Sequence, residues 1–393
     1  MDINKILKKA VDMRASDIHL KVGLPPVLRR FGALLPLKDY EKLSNDNISD
    51  IAQSLMNQYQ QAKFETTNEI DFAYSLSNVA RFRVNSFRQR GSFGMVFRVV
   101  PTNPPSLDEL NLPETIKRIS LERKGLILVT GTTGSGKSTT LAGMVNHINT
   151  NRNCHVITIE DPIEFLHKDR KSIINQREVG SDTNSFAMAL RAALRQDPDV
   201  ILVGEMRDKE TIDIALLAAE TGHLVISTLH TLDAVETIMR IVTVYPPHQQ
   251  FQVRLQLSGV LKAVISQRLM PKIDGKGMIP AAEVLVSTAR IRECIGDELR
   301  TGEIPDAIAE GTVAYGMQTF DQSLMSLVKD SKISYNEALR QSTNPNDFAL
   351  RMKGIAGTSD SKWDMFEGDK AAAEDEDQSK HKLFQDGEYR DIE

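Results

Sequence analysis

Two cysteines in 393 residues, Cys154 and Cys294, cannot build a disulfide framework, and without a Cys-x-x-Cys spacing they cannot close a four-cysteine zinc site. Both are expected to be small buried hydrophobes in a reducing compartment. Long apolar runs are missing as well: stretches such as residues 125–129 and 200–204 fall far below the roughly 20 residues of a membrane helix. The opening Met1-Asp2-Ile3-Asn4-Lys5 lacks the apolar region of a signal peptide, so no membrane insertion is expected. Nor does one sign of charge dominate. Net charge is −5, and residues 367–393, with ten Asp/Glu and four Lys/Arg, contribute −6 of it, which leaves the body at +1. A near-neutral body lacks the basic footprint of a nucleic-acid protein, and no nucleic-acid partner is expected.

What remains is average for a globular chain, 41% hydrophobic and 26% charged, and long enough for two or three domains. In residues 1–100, Ile3, Ile6, Leu7, Ala10 and Val11 recur at helical spacing, followed by strand-like segments at 18–22, 27–31, 70–76, 81–87 and 94–99 and a helix near 45–57. That pattern predicts an α+β N-terminal domain of mostly antiparallel strands with one or two helices. Pro101-Thr102-Asn103-Pro104-Pro105 breaks it and opens a linker over 101–113. From 114 to 355 the texture is α/β: fully apolar strands at 126–130, 156–160, 200–203 and 224–228 alternate with helices, which predicts a buried parallel sheet and a nucleotide-binding domain. Beyond Tyr245-Pro246-Pro247 the pattern turns mainly helical, with one short strand near 281–286 and a capping-box start at Thr319. The tail 356–393 carries Glu374-Asp375-Glu376-Asp377, and its low hydrophobicity predicts disorder, with Trp363 and Phe366 at its start.

Gly131-Thr132-Thr133-Gly134-Ser135-Gly136-Lys137-Ser138 fits the phosphate-loop pattern G-x-x-x-x-G-K-[ST], between an apolar strand and a helix-forming run that begins with Thr139. Glycines let backbone N–H groups wrap phosphates, Lys137 reaches the outer phosphates, and Ser138 offers a hydroxyl to magnesium. ATP with Mg²⁺ is the expected ligand. Hydrolysis needs acids at neighbouring strand ends. Ile159-Glu160-Asp161-Pro162-Ile163-Glu164 places three carboxylates after one strand, and Val203-Gly204-Glu205 ends the next with the acid expected to hold magnesium and its waters. A further strand has His223 at its start, Thr228 near its end and His230 beyond it, so His230 is expected to sense the terminal phosphate. Arg81, Arg83, Arg88, Arg90 and Arg98 cluster around an alternating strand pair in the first domain; they are read either as forks aimed at phosphate or as a charged solvent face.

Together with Leu194-Arg195-Gln196-Asp197-Pro198-Asp199, Gly204-Glu205-Met206-Arg207-Asp208, Ala219-Glu220-Thr221-Gly222-His223, Ser16-Asp17-Ile18-His19-Leu20 and Gly316-Met317-Gln318-Thr319-Phe320, these blocks closely resemble the type II/IV secretion ATPase superfamily. Within it the chain is most similar to PilT/PilU-like type IV pilus retraction motors, over about residues 1–355. The resemblance implies a homo-hexameric ring, each subunit joining a PAS-like N-terminal domain to a RecA-like ATPase domain. It implies Glu164 as general base, Glu205 as organiser of magnesium and water, His230 as the histidine of the family's His box, and Arg83 and Arg98 as phosphate-reaching arginines. It further implies ATP hydrolysis that powers pilus disassembly and twitching motility from the cytoplasmic face of the inner membrane, with a platform protein and a paralogous retraction ATPase as partners. Assembly, secretion and conjugation ATPases share the motifs but typically add an N-terminal domain and a zinc module. A nucleotide-gated adaptor with little turnover is the contrasting class. Ala289-Arg290-Ile291-Arg292-Glu293-Cys294-Ile295 departs from the retraction subfamily's late helix, and the acidic tail is extra.

Overall fold

The computed structural model describes residues 1–354; the acidic tail, with Trp363 and Phe366, lies outside the described residues. The alternating segments of the first hundred residues pair into one antiparallel sheet. Its strands are β1 (Asp17–Lys21), β2 (Val27–Arg30), β3 (Ala33–Pro36), β4 (Glu69–Leu76), β5 (Ala80–Gln89) and β6 (Ser92–Val100), in the order β3-β2-β1-β6-β5-β4. Three helices cover one face: α1 (Ile3–Asp12), α2 (Asn45–Leu55) and α3 (Gln58–Thr67). Ile6, Leu7, Ile48 and Phe64 meet Phe82, Val84 and Phe97 in a core separate from the rest of the molecule. Ser44 and Asn57 start α2 and α3 with reciprocal capping boxes.

Three helices replace the expected one or two. The addition, α3, buries only Phe64 and so carries no helical stripe, while β3 is exposed along its whole length and has no alternation to read.

The second sheet contains β7 (Gly125–Thr130), β8 (His155–Glu160), β9 (Ile173–Glu178), β10 (Val200–Val203), β11 (Leu224–Leu229), β12 (Leu261–Pro271) and β13 (Met278–Val286), in the order β13-β12-β7-β11-β10-β8-β9. Neighbours run parallel except for the β12–β13 hairpin. Helices α4 (Thr115–Ser120) and α5 (Lys137–Asn151) bury Ile116, Met144 and Ile148 on one face. On the other lie α6 (Phe186–Ala193), α7 (Lys209–Glu220), α8 (Ala234–Thr243) and α9 (Pro247–Val260), through residues such as Leu190, Leu216, Ile238 and Leu257. Covering both faces is what makes β7, β10 and β11 buried at every position. The α/β class expected from the strand texture is the class observed.

The region past 247 is less helical than its pattern suggested. β12 has 11 residues and joins β7 in parallel, continuing directly from α9. Buried on both faces at Ala263, Val264 and Ile265, it offers no period-2 signal, and no turn separates it from the helix. Helices at Phe320–Lys329, Tyr335–Gln341 and Pro345–Met352 then pack Phe320, Leu324 and Phe348 against Met270 and Ile279.

Residues 101–113 do not hang between the two sheets: Leu107 is buried among α5 side chains, with Leu110 packed against the same core. Cys294 is fully buried, whereas Cys154 is half-exposed with Sγ 3.2 Å from the Ser172 hydroxyl, so only one cysteine is the buried hydrophobe expected. Among the described residues no helix is long and apolar enough to cross a membrane.

Candidate functional site

Parallel β7, β8, β10 and β11 deliver their C-terminal ends to one edge, so residues 131, 161, 204 and 230 emerge side by side. From β7 the chain turns through Gly131, Gly134 and Gly136, all at positive φ (138°, 81° and 95°), into α5. A Cβ at Gly131 would collide with the Gln267 carbonyl and stand 2.5 Å from Ser135 Oγ, so only glycine lets β12 approach the loop. Gly136 opens α5 without a side-chain cap, which leaves first-turn N–H groups to an anion. Ser135 Oγ is buried with no hydrogen-bond partner, a further polar group without a protein partner in the loop. Lys137 Nζ donates to the Gly131 and Thr132 carbonyls at 2.8 and 2.9 Å. Burial lowers its pKa, opposed by the charge of Glu205.

A cavity of about 670 Å³ opens beside this loop, and both sheets contribute to it. Thr133, Gly134, Gly136, Lys137, Ser138 and Thr139 line it, whereas Gly131, Thr132 and Ser135 of the same loop do not. Glu160, Asp161 and Glu164 also reach the cavity but differ in environment. Glu160 is buried, accepts from Thr158 Oγ1 at 2.6 Å and Gln176 Nε2 at 3.1 Å, and is pushed toward the protonated form by burial. Glu164, by contrast, is exposed at the wall, where water reaches its carboxylate.

Glu205 sits between two basic groups, with Arg207 Nη2 2.7 Å from Oε2 and His230 Nε2 3.4 Å from Oε1. Burial disfavours its charge, but the Arg207 hydrogen bond and charge, with His230, outweigh that and hold the carboxyl below its usual pKa. Thr228 donates to the Gly204 carbonyl at 2.6 Å and ties the β10 and β11 ends together. His223 stands at the opposite edge, its ring on the Ala218 carbonyl and Thr221, away from the cavity.

From the first domain, Arg83 and Arg98 line the cavity while Arg88 stacks over Phe64 and Phe93 instead. Arg81 reaches Glu178 of the second domain at 3.2 Å. Sequence reasoning assigned no role to Arg207, which lines the cavity, or to Glu178 and Gln267, which hold Ile163 and Thr140 behind it. Arg207 lies two residues past Glu205 and was within reach of it; Gln267, which donates to Thr140 at 2.9 Å, belongs to β12, a strand with no sequence signal.

The donors fit a metal nucleotide. Ser138 and Glu205 face the same cavity, a hydroxyl and a carboxylate held ionised, which is the oxygen set that a magnesium ion with its waters accepts.

Comparison with known proteins points the same way. The family model for type II/IV secretion system proteins matches residues 1–293. The chain is 45% identical over 348 residues to the type IV pilus retraction ATPase PilT of Pseudomonas aeruginosa, covering 88% of this chain and 100% of that one. It is 41% identical over 355 residues to the type IV pilus ATPase PilU of the same organism, covering 90% and 92%. Among solved structures, the pilus retraction motor PilT with bound ADP superposes with a TM-score of 0.79 at 46% identity, covering 88% of this chain and 98% of that chain.

Proposed function

This chain belongs to the type II/IV secretion system protein family, and from that premise we propose that it is an ATP-hydrolysing motor that powers type IV pilus retraction. The observation that carries this reading is the convergence of Lys137, Glu164, Glu205 and Arg83 on one cavity between the two domains. Phosphoryl transfer asks the protein chiefly for positioning and for charge where charge develops. The loop amides and Lys137 hold the outer phosphates. Exposed Glu164 accepts the proton of the attacking water, and Glu205, oriented by Arg207 and His230, orders the surrounding waters. Ser138, and Glu205 through water, would hold a magnesium ion, which would supply charge neutralisation to the phosphates.

Arg83 and Arg98 bring positive charge from the first domain, so turnover requires that domain to be docked. Loss of the γ-phosphate then removes the anion both domains share, which turns hydrolysis into relative rotation. In a homo-hexamer these rotations would act in sequence on a platform protein of the inner membrane from its cytoplasmic side, with a paralogous retraction ATPase as helper.

The decisive experiment counts surface pili, with labelled-fibre imaging, in cells whose only copy is Glu164→Gln. Excess, non-retracting pili are expected. Bare cells would make it an assembly motor, and unchanged fibres would remove it from pilus dynamics.

A further inference from the structure

Along β5 the side chains alternate: Phe82 and Val84 enter the first domain's core, and Arg81 and Arg83 point the other way. Arg83 lines the cavity, whereas Arg81 places Nη2 3.2 Å from Glu178 Oε2, with side-chain exposures of only 19% and 9%. That same Oε2 accepts the Ile163 backbone N–H at 3.2 Å, the amide immediately before Glu164. Glu178 is fixed from its own side by Ser181 Oγ on Oε1 at 3.3 Å and by its N–H on Asp182 at 2.9 Å.

A second tie lies just downstream, where the Leu166 N–H donates to the Pro101 carbonyl at 2.9 Å. Pro101 follows Val100, the residue opposite Arg81 in the β5–β6 ladder. The segment 163–166 is therefore held on both sides of Glu164, at Ile163 by Glu178, whose carboxylate Arg81 of the first domain pairs, and at Leu166 by Pro101, which directly follows β6.

We propose that Arg81 and Glu178 are positioning residues that make docking of the first domain a condition for placing the Glu164 carboxylate. One carboxylate oxygen is shared between a guanidinium of the moving domain and the amide of the catalytic segment. When the domain swings away, Oε2 loses its cation and Leu166 loses the Pro101 carbonyl, so Ile163 is left on a carboxylate that no guanidinium holds in place. The same motion withdraws Arg83, two residues along the same face of β5. Base and arginine thus enter and leave the site as a unit, which suppresses hydrolysis in the open state. This inference rests on the reading of Glu164 as the base.

The test is steady-state ATP turnover and ADP affinity of the full chain for Arg81→Ala, Arg81→Lys, Glu178→Gln and the Arg81→Ala/Glu178→Gln double variant, beside Glu164→Gln. Expected is a fall in kcat of about 10-fold or more in Arg81→Ala and Glu178→Gln, with ADP affinity changed by less than ~3-fold. Arg81→Lys, which keeps the cation, should recover part of the loss, and the double variant should be no slower than the slower single one. Glutamine still accepts from Ile163, so wild-type turnover in Glu178→Gln would show that only the amide anchor matters and would overturn the coupling to the first domain. Additive losses, or losses carried by ADP affinity, would overturn it equally. Should Arg81→Ala not fold, Arg81→Lys and Glu178→Gln decide the question by themselves. Wild-type turnover in Glu164→Gln would instead remove the base assignment, whereas a dead Glu164→Gln beside a fully active Arg81→Ala would remove only the positioning proposal.

Discussion

Arg83 and Arg98 are direct register partners across β5 and β6, yet only Arg98 is tied down, its Nε 2.8 Å from Asp17 Oδ1. Arg83 makes no ion pair among the described residues and faces the cavity with its charge uncommitted. The two arginines are therefore expected to separate experimentally. Arg83→Ala should lower kcat with little change in nucleotide affinity, because its charge is free to follow the phosphoryl group into the transition state. Arg98→Ala should also lower stability, since it leaves Asp17, 8% exposed, without its cation. With Arg98 itself 67% exposed the cost is about 1 kcal/mol, read as a drop in Tm that Arg83→Ala does not show. Equal effects of the two substitutions on Tm and kcat would contradict the division.

Lys137 and Glu164 should separate binding from chemistry. Removing the ammonium in Lys137→Ala takes away a charged donor to the outer phosphates and should weaken ATP binding by about 2 kcal/mol, or ~30-fold. Glu164→Gln keeps size and polarity but cannot take a proton, so nucleotide should bind normally while turnover falls ~10²- to 10⁴-fold. Calorimetric affinity and phosphate release on the same preparations check both. Wild-type turnover in Glu164→Gln would pass the base role to another carboxylate, Asp161 being the adjacent one on the cavity wall.

Much of the site was legible because its chemistry is local in sequence. The loop from Gly131 to Ser138, the carboxylates of 160–164 and Gly204-Glu205 each occupy a few consecutive residues at the end of an apolar strand, where pattern and chemistry coincide. What was not legible depends on distance along the chain. Arg81 and Glu178 meet across 97 positions, and Thr140 and Gln267 across 127, and neither end of either pair carries a signal of its partner. The fold divides in the same way. Strands β7, β10 and β11 announce themselves as apolar runs bounded by turns, but β12, apolar on both faces and continuous with α9, looks like more helix until its pairing with β7 is known. Edge strand β3 fails for the opposite reason, having no buried face at all.

Gly131→Ala should weaken nucleotide binding without unfolding the protein. A φ of 138° is a strained conformation for alanine, and the added Cβ would press on the carbonyl of Gln267, a residue that the β12–β13 ladder sets opposite Ala282. The loop must move rather than the sheet. Loss of ATP and ADP affinity by at least ~10-fold, with far-ultraviolet circular dichroism unchanged, is the expected outcome. Gly134→Ala has open space around its Cβ and only its φ to accommodate, so it should bind measurably better than Gly131→Ala. The reverse ranking would contradict the assigned role of β12.

Glu283 predicts a pH dependence of stability unrelated to catalysis. It is buried on β13, accepts the Ala234 N–H at the start of α8 at 2.8 Å, and has its pKa raised to about 7 by burial, with Asp233 and Asp321 adding repulsion and Arg268 opposing. A carboxyl whose folded pKa lies above its unfolded one binds its proton more tightly when folded. Its contribution is complete below the unfolded value and is lost as pH rises through the folded one. Between the ordinary glutamate range and about pH 7, this residue should therefore lower stability with rising pH, by up to about 1.4 kcal/mol per unit. Glu283→Gln keeps an acceptor for Ala234 and removes the titration, so its Tm should fall less than that of the wild type from pH 5 to 8, and the two curves should converge at the acid end. Parallel curves would mean that Glu283 is ionised in the folded protein throughout, with the α8 N-terminus and Arg268 sufficient to hold its charge.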